Sequence, residues 1–150
     1  GPPRVGKSTR VWRWASAIAE AMGKPMYWQT VYTEYLFNYQ AEPVVVMDEF
    51  TNCIPIQLFN GACSEFPIAV KSFQRMTWFA GKYIFIVSNQ HYDDWYDYEA
   101  LKIPKECIKG RINHLIHVQR LDERFDSIEE IVKGICADEA AAKKQCCNIL

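Results

Sequence analysis

Apolar residues recur along the chain with two different periods, which together predict alternating helices and strands. Between residues 8 and 22 they return every three or four positions, as on one face of a helix, and Gly23 and Pro25 end that pattern. The runs 44–47 and 83–87 are apolar without interruption, which is typical of strands buried on both faces of a sheet. Such an alternation predicts an α/β fold with a central, mostly parallel sheet.

The remaining segments continue the alternation. Strands are predicted at residues 25–29, 68–71 and 115–118, and short helices at 54–66 and 104–109, whereas the aromatic-rich stretch 30–43 shows no clean period and is expected to be irregular. Near the C-terminus, Ser127 and Glu130 form a capping-box pattern before an amphipathic helix over 128–136, and 138–146 is expected to be helical or frayed. The chain is therefore predicted to contain one α/β domain over residues 1–120 and a helical tail over 121–150.

Composition narrows the class of protein without identifying it. The 150 residues fit a single domain, and 17 basic against 18 acidic side chains exclude a polycationic tail but leave room for a local basic groove. A hydrophobic fraction of 49% excludes a disordered chain. No apolar run approaches the roughly 18 residues of a membrane span, so no membrane partner is expected. The six cysteines form no C-x-x-C pair and are expected to be free thiols in a reducing compartment.

The first eight residues, Gly-Pro-Pro-Arg-Val-Gly-Lys-Ser, match the phosphate-binding pattern G-x-x-x-x-G-K-[ST] in full. In such a loop, backbone N–H groups and a helix N-terminus face the phosphates, and Gly6 permits their close approach. Lys7 is expected to reach the β- and γ-phosphates, and Ser8 to bind Mg²⁺. Because the chain opens inside this motif, we expect a longer protein whose first strand precedes Gly1. The expected nucleotide-binding residues are Gly1, Pro2, Pro3, Arg4, Val5, Gly6, Lys7, Ser8 and Thr9.

Two carboxylates, Asp48 and Glu49, directly follow the apolar run 44–47. Ligands bind at the carboxyl ends of strands in open α/β sheets, so Asp48 is expected to hold Mg²⁺ and Glu49 to orient or deprotonate an attacking water. The chain contains no guanine-reading Asn-Lys-x-Asp stretch, and residues 91–101 lack the Arg-rich lid of a small-molecule kinase. These features favour an ATPase or NTPase.

Three segments in this order resemble the superfamily 3 helicase domain: the loop 1–8, the run Val-Val-Val-Met-Asp-Glu-Phe at 44–50, and Ile-Phe-Ile-Val-Ser-Asn-Gln at 84–90 with Trp95 and Tyr96. The resemblance is greatest to the Rep proteins of circoviruses and other circular single-stranded DNA viruses, and it extends to about residue 118. It implies an ATP-dependent helicase of rolling-circle replication that uses ATP and Mg²⁺. It also implies a homo-oligomeric ring, expected to be a hexamer, acting on single-stranded DNA in the host nucleus.

The same resemblance implies roles for further residues. Asn89 falls on a polar sensor position near the γ-phosphate, and Arg111 falls where such domains supply an arginine finger to a neighbouring subunit. Residues 68–79 fall on a DNA-contacting hairpin, but its Lys-Gly-Gly-like turn is replaced here by Phe-Gln-Arg at 73–75. The nucleic-acid contact is therefore expected from Lys71 or Arg75. The family's nicking domain has no counterpart in these residues, so no endonuclease activity is expected of them.

Two other interpretations remain open at this point. A picornavirus-type RNA helicase has its motifs in the same order, although the Pro-Pro in the loop and the Ser-Asn-Gln segment favour the DNA-virus family. A non-catalytic viral remnant that only binds nucleotide is the second alternative. Among the other side chains, Arg10 and Arg13 are expected on a solvated helix face. The tryptophans are expected in the core and at interfaces, except that Trp78 beside Lys71 and Arg75 is suited to base stacking.

Overall fold

The computed structural model describes residues 1–30, 36–51, 54–72 and 75–147, with side chains described as far as residue 143. This part of the chain contains both helices and strands, as the sequence predicts, but they do not alternate strictly, because several strands and several helices are consecutive. They are α1 (Lys7–Met22), β1 (Met26–Gln29), β2 (Val44–Met47), α2 (Ile56–Ala62), β3 (Ala69–Ser72), β4 (Arg75–Trp78), β5 (Tyr83–Ile86), α3 (Tyr98–Leu101), α4 (Glu106–Lys109) and α5 (Asp126–Cys147), with a 3₁₀ turn at Tyr92–Asp94.

A three-stranded parallel sheet, in the order β1-β2-β5, forms the centre of the fold. Met47 at the end of β2 lies opposite Gln29 on β1 and Ile86 on β5, so the carboxyl ends of all three strands meet at one edge. All four residues of β2 are buried because the strand is covered on both faces. The prediction of an α/β fold with a parallel sheet is confirmed.

Successive side chains of β2 enter two separate hydrophobic cores, as the two-residue period of a strand requires. Val45 and Met47 belong to the core shared with α2, α4 and Trp95. Val44 and Val46 belong to the core shared with α1 and α5. The sheet is therefore a middle layer, and α1 and α5 lie together on one face of it.

The C-terminal segment forms one continuous helix of 22 residues that packs along α1. Its start differs from the predicted capping box, because the N–H groups of Ile128 and Glu129 both donate to the carbonyl of Phe125 and Ser127 lies inside the first turn. Phe125 packs edge-on against Trp14, and Val132 is buried in the same core. The predicted helical tail is therefore part of the packed fold.

Two element predictions were wrong in extent or type. The helix predicted at 54–66 covers only Ile56–Ala62, because the Ser64 hydroxyl and N–H bond to the carbonyl of Gly61 and form a turn instead. The strand predicted at 115–118 is extended but joins no sheet in the described part of the chain.

Several smaller predictions can also be compared with the structure. Residues 36–43 are irregular, as predicted, whereas 31–35 lie outside the described residues. Cys63, Cys107 and Cys136 are free thiols. None of the helices in the described ranges combines the length and apolar character needed to cross a bilayer.

Candidate functional site

The loop that precedes α1 has the backbone geometry of an anion-binding turn. Gly6 is the N-cap of α1 and has a φ of 75°, in the left-handed region that glycine adopts without steric cost. Arg4 also has a positive φ, of 61°. Among the described residues, no side chain caps the start of α1, and the first N–H groups of a helix have no partner within the helix itself. This arrangement can hold a phosphate group.

Lys7 connects the start of this loop to the segment that follows β5. Its ammonium group donates to the carbonyl of Gly1 at 2.8 Å, to the carbonyl of Pro2, and to Oδ1 of Asn89 at 2.8 Å. Burial lowers the pKa of Lys7, and the nearby Asp48 carboxylate partly opposes that shift. A phosphate group entering the loop would compete with these oxygens for the three ammonium protons.

Ser8 and Asp48 form the second contact between the loop and the sheet edge. The Ser8 hydroxyl donates to Oδ1 of Asp48 at 2.8 Å, and Asp48 is only 7% exposed. The N–H of Asp48 donates to the carbonyl of Gln29 at 2.9 Å, which fixes the backbone just beyond β2. A hydroxyl and a carboxylate oxygen at this separation are the hard donors that Mg²⁺ prefers.

This oxygen pair also fits an ion that takes its remaining ligands from phosphates and water. Within the described ranges, no three His, Cys, Asp or Glu side chains converge on a metal site. Ser8 and Asp48 are therefore the described residues that could hold Mg²⁺.

Glu49 and Asn89 reach the same edge because pairing between β2 and β5 continues past the ends of both strands. The N–H of Val87 donates to Met47, and the N–H of Phe50 donates to Val87 at 2.7 Å. Glu49 is exposed and has a φ of 54°, an uncommon conformation for a residue with a side chain. Its N–H donates to Oδ1 of Asp48 at 3.0 Å. The two acids are therefore adjacent but differ in burial and in partners.

Ser88 holds the backbone on which Asn89 sits. Its hydroxyl donates to the carbonyl of Phe50 at 2.7 Å and accepts from the indole N–H of Trp95 at 3.1 Å and from the N–H of Gln90 at 3.0 Å. Trp95 is buried and packs against the ring of Phe50. In the sequence, Ser88 and Trp95 could be recognised only as members of a motif. Their supporting role became evident only from the contacts that join Ser88, Phe50 and Trp95 in the folded chain.

Arg111 lies between α2 and α4 and bonds within its own chain. Its guanidinium donates to the carbonyl of Asn60 at 3.3 Å and to the carbonyl of Cys107. Nearby, burial raises the pKa of the Cys63 thiol to about 11, against the opposing effect of the Arg111 charge. Arg111 therefore has a structural partner set of its own, and its role as an arginine finger stays a prediction.

The segment expected to contact nucleic acid forms an antiparallel hairpin from β3 and β4. Lys71 lies opposite Met76, and Ala69 lies opposite Trp78. Directly opposed residues share a face of the pair, so Lys71, Met76 and Trp78 lie on one face. Met76 is 57% and Trp78 64% exposed. We call this set, with Ala69, the hairpin face.

Arg75 lies opposite Ser72 and therefore belongs to the other side of the hairpin. The two basic residues that the sequence offered as equivalent are thus on different faces. Phe73 and Gln74, where the turn departs from the family pattern, lie outside the described residues.

The prediction of a solvated face for Arg10 was wrong, whereas Arg13 is exposed as predicted. The Arg10 guanidinium donates to the carbonyls of Val5 at 2.7 Å, Glu123 at 2.9 Å, and Leu121. The sequence carries no signal for these contacts, because two of the partners are backbone carbonyls more than 110 positions away along the chain.

The part of the chain that resembles known proteins includes the residues of the site. A family model described as RNA helicase matches residues 1–90, which include the loop, both acids and Asn89. The chain is 32% identical over 130 residues to the replication-associated protein of Porcine circovirus 1, covering 87% of this chain and 39% of that protein. It is 29% identical over 124 residues to the replication-associated protein of Porcine circovirus 2, covering 83% and 37%.

A replication-associated protein of Goose circovirus is 28% identical over 99 residues, which cover 66% of this chain and 31% of that protein. The chain thus spans between about a third and two fifths of the length of these relatives.

Proposed function

From the premise that this chain belongs to the RNA helicase family, as a superfamily 3 helicase domain similar to circovirus replication-associated proteins, we propose that it is an ATP-hydrolysing motor of viral replication. The observation that carries the proposal is the pair of contacts Lys7–Asn89 and Ser8–Asp48. These contacts gather the loop, an acid and the sensor position at one edge of the sheet. A phosphoryl-transfer site needs such groups on several sides of one phosphate.

The loop residues bind and orient the triphosphate of ATP. Backbone N–H groups at the start of α1 surround the β-phosphate, and Lys7 exchanges its carbonyl partners for β- and γ-phosphate oxygens. Ser8 and Asp48 would hold Mg²⁺, which when bound would supply positive charge that neutralises the phosphate oxygens. The 2.8 Å hydrogen bond between the Ser8 hydroxyl and Oδ1 of Asp48 keeps these two oxygens adjacent.

Glu49 orients the attacking water and accepts its proton. It is the exposed member of the acidic pair, so its carboxylate is accessible to a water molecule, whereas Asp48 is occupied by Ser8 and the backbone. Asn89 positions the γ-phosphate or that water through its side-chain amide. Arg111 is proposed to act as a finger on the nucleotide of a neighbouring subunit in a homo-oligomeric, hexameric ring.

The nucleic acid is proposed to be single-stranded DNA that contacts the hairpin face in the host nucleus. Lys71 supplies a phosphate contact and Trp78 a surface on which bases stack. RNA is the second candidate, because the matching family model is described as RNA helicase. Measuring the affinity for single-stranded DNA and RNA of equal length and base sequence, at one salt concentration, separates the two.

The substitution Lys7→Ala tests nucleotide binding in the full-length protein. It removes the ammonium group that faces the phosphates, so the affinity for Mg-ATP should fall by about tenfold or more. Lys24→Ala is the matched control, since Lys24 is an exposed lysine just beyond α1 and its loss should leave affinity unchanged. Equal affinity in Lys7→Ala and wild type, by calorimetric titration of folded proteins, would contradict the proposal.

A further inference from the structure

Arg10 connects the phosphate loop to a distant part of the chain. It lies on α1 one turn after Lys7 and is half-buried. Its N–H donates to the carbonyl of Gly6 at 3.1 Å, and its guanidinium donates to the carbonyl of Val5 at 2.7 Å. The Arg10 side chain therefore bonds to Val5 from the helix side, whereas its N–H makes with Gly6 the backbone bond that any residue at this helix position makes.

The rest of the guanidinium reaches the turn that leads into α5. It donates to the carbonyls of Leu121 and Glu123, and its central carbon lies 5.4 Å from the centre of the Phe125 ring. We call residues 119–125 the α5 turn. One side chain thus bonds three carbonyls from two segments and lies over an aromatic ring.

The α5 turn is itself closed by hydrogen bonds. The carboxylate of Glu123 accepts from the N–H groups of Gln119 at 2.8 Å and Arg120 at 3.3 Å. These bonds and the charges of Arg10 and Arg120 hold the pKa of Glu123 below its usual value. The turn therefore presents the Leu121 and Glu123 carbonyls to Arg10 in a fixed arrangement.

A second contact between the two segments does not involve Arg10. A Cβ placed on Gly6 would lie 2.9 Å from Cδ1 of Leu121, so the Leu121 side chain lies against the backbone of the loop. The phosphate loop and the α5 turn are therefore packed together at the residue that opens α1. A shift of either segment has to be accommodated by the other.

From this geometry we propose that Arg10 is a positioning residue that couples the phosphate loop to the docking of α5 on α1. The inference rests on the proposed function, because it concerns the affinity of the same loop for ATP. When α5 is docked, the Arg10 side chain holds the Val5 carbonyl, and with it the end of the loop, in the conformation that binds phosphate. Because coupling between two sites is reciprocal, bound ATP in turn stabilises the α5 turn.

A guanidinium is needed because its planar fork presents several N–H groups in fixed directions. In Arg10, Nη1 donates to Val5 while Nη2 donates to Leu121 and Glu123, and lysine, with the same charge but one nitrogen, cannot reproduce this separation of donors. Arg10→Lys therefore separates the geometric role from the charge. Arg13 is the matched control, since it lies one turn further along α1 and is exposed.

The first measurement needs no nucleotide. Amide hydrogen exchange is compared in full-length wild type, Arg10→Lys, Arg10→Ala and Arg13→Ala. We expect faster exchange in residues 119–125 and in the first turn of α1 for both Arg10 variants, and wild-type exchange for Arg13→Ala. Unchanged exchange in Arg10→Lys and Arg10→Ala would overturn the coupling, whether or not the protein binds ATP.

The second measurement is ATP affinity and turnover. Coupling of this kind should raise the Kd and KM for Mg-ATP about tenfold in Arg10→Lys, with kcat at saturating ATP within about twofold of wild type. Mg-ATP should also slow exchange of residues 119–125 in wild type and do so less in Arg10→Lys. Wild-type KM in Arg10→Lys, or loss of kcat with KM unchanged, would overturn the inference.

The two proposals fail in different ways. If wild type does not bind ATP, the proposed function is wrong and the claimed effect on affinity falls with it, whatever exchange shows. If wild type binds ATP and Lys7→Ala does not, but Arg10→Lys binds as wild type does, only the coupling is wrong. Thermal unfolding of each variant shows whether Arg10→Ala still folds, and Arg10→Lys carries the test if it does not.

Discussion

At the residue scale, the two acids that follow β2 differ more in surroundings than their adjacency in the sequence suggests. Asp48 is 7% exposed and accepts from the Ser8 hydroxyl and from the N–H of Glu49. Glu49 is exposed and held with a φ of 54°. Replacing each acid by its amide should therefore affect different steps of the reaction.

Glu49→Gln keeps the size of the side chain but removes the base. We expect Mg-ATP to bind with near wild-type affinity while kcat for ATP hydrolysis falls about 10²-fold or more. Asp48→Asn is the comparison: it weakens the Mg²⁺ site, so the Mg²⁺ concentration needed for ATP binding should rise. Loss of binding in both variants, measured by titration at several Mg²⁺ concentrations, would contradict this division of roles.

Arg111 has two possible roles that the same substitution distinguishes. As an arginine finger it contributes roughly 10³- to 10⁵-fold to turnover in related phosphoryl-transfer systems, so Arg111→Ala should abolish hydrolysis and leave much of ATP binding intact. Mixing it with Glu49→Gln subunits should restore some activity, because some interfaces then combine both intact residues. The bonds to Asn60 and Cys107 also predict a stability loss of about 1–3 kcal/mol in urea unfolding.

Two other results with Arg111→Ala would contradict its role as an arginine finger for a neighbouring subunit. Normal turnover accompanied by the stability loss would make the residue only an anchor between α2 and α4. Absence of rescue in subunits that demonstrably co-assemble would exclude action on a neighbouring subunit.

At the element scale, the β3–β4 hairpin presents two basic residues on opposite faces, which makes them matched probes. A plot of log affinity against log salt concentration has a negative slope, and Lys71→Ala should reduce the magnitude of that slope by about 0.7 for a single-stranded ligand, because one phosphate contact is lost. Trp78→Ala should lower affinity about tenfold through lost stacking. In fluorescence anisotropy titrations, Arg75→Ala should lower the affinity less than either of these substitutions. A larger loss of affinity in Arg75→Ala than in Lys71→Ala would show that the hairpin face is not the nucleic-acid contact.

Two substitutions in helix α5 are expected to change the free energy of unfolding in opposite directions. Val132 is buried against α1, so Val132→Ala should lower the free energy of unfolding by about 1–3 kcal/mol. A Cβ on Gly134 would meet no atom within 4 Å, so Gly134→Ala should raise it by up to about 1 kcal/mol through helix propensity. Denaturant titration checks both; if Val132→Ala had no effect, docking of α5 would not contribute to stability.

Local patterns predicted most elements because the forces that set them act between near neighbours. The three- and four-residue period of α1 and the unbroken apolar run of β2 are examples. Residues 115–118 have the same apolar character but joined no sheet in the described structure, since a strand exists only when it has a partner. The early end of α2 depended on a side-chain bond from Ser64 that competes with the helix.

At the scale of the whole molecule, the sequence predicted which candidate site residues lie together better than it predicted the residues that support them. Lys7, Ser8, Asp48 and Asn89 are in contact as pairs because a motif fixes residue types along with strand order. Arg10 was interpreted wrongly because its partners are carbonyls, which every residue possesses, and no residue type marks them. Long-range backbone contacts of this kind become visible only in the folded chain.

The contact between α1 and the α5 turn has a consequence for synthesis of the chain on the ribosome. Arg10 emerges 113 residues before Glu123, which at about 5–20 residues per second is an interval of roughly 6–23 s. During that interval the apolar stripe of α1, with Trp14 and Ile18, has no α5 to cover it. Nascent chains of this length therefore present a hydrophobic surface suited to chaperones, and the bonds from Arg10 to Leu121 and Glu123 form only after those residues have been translated.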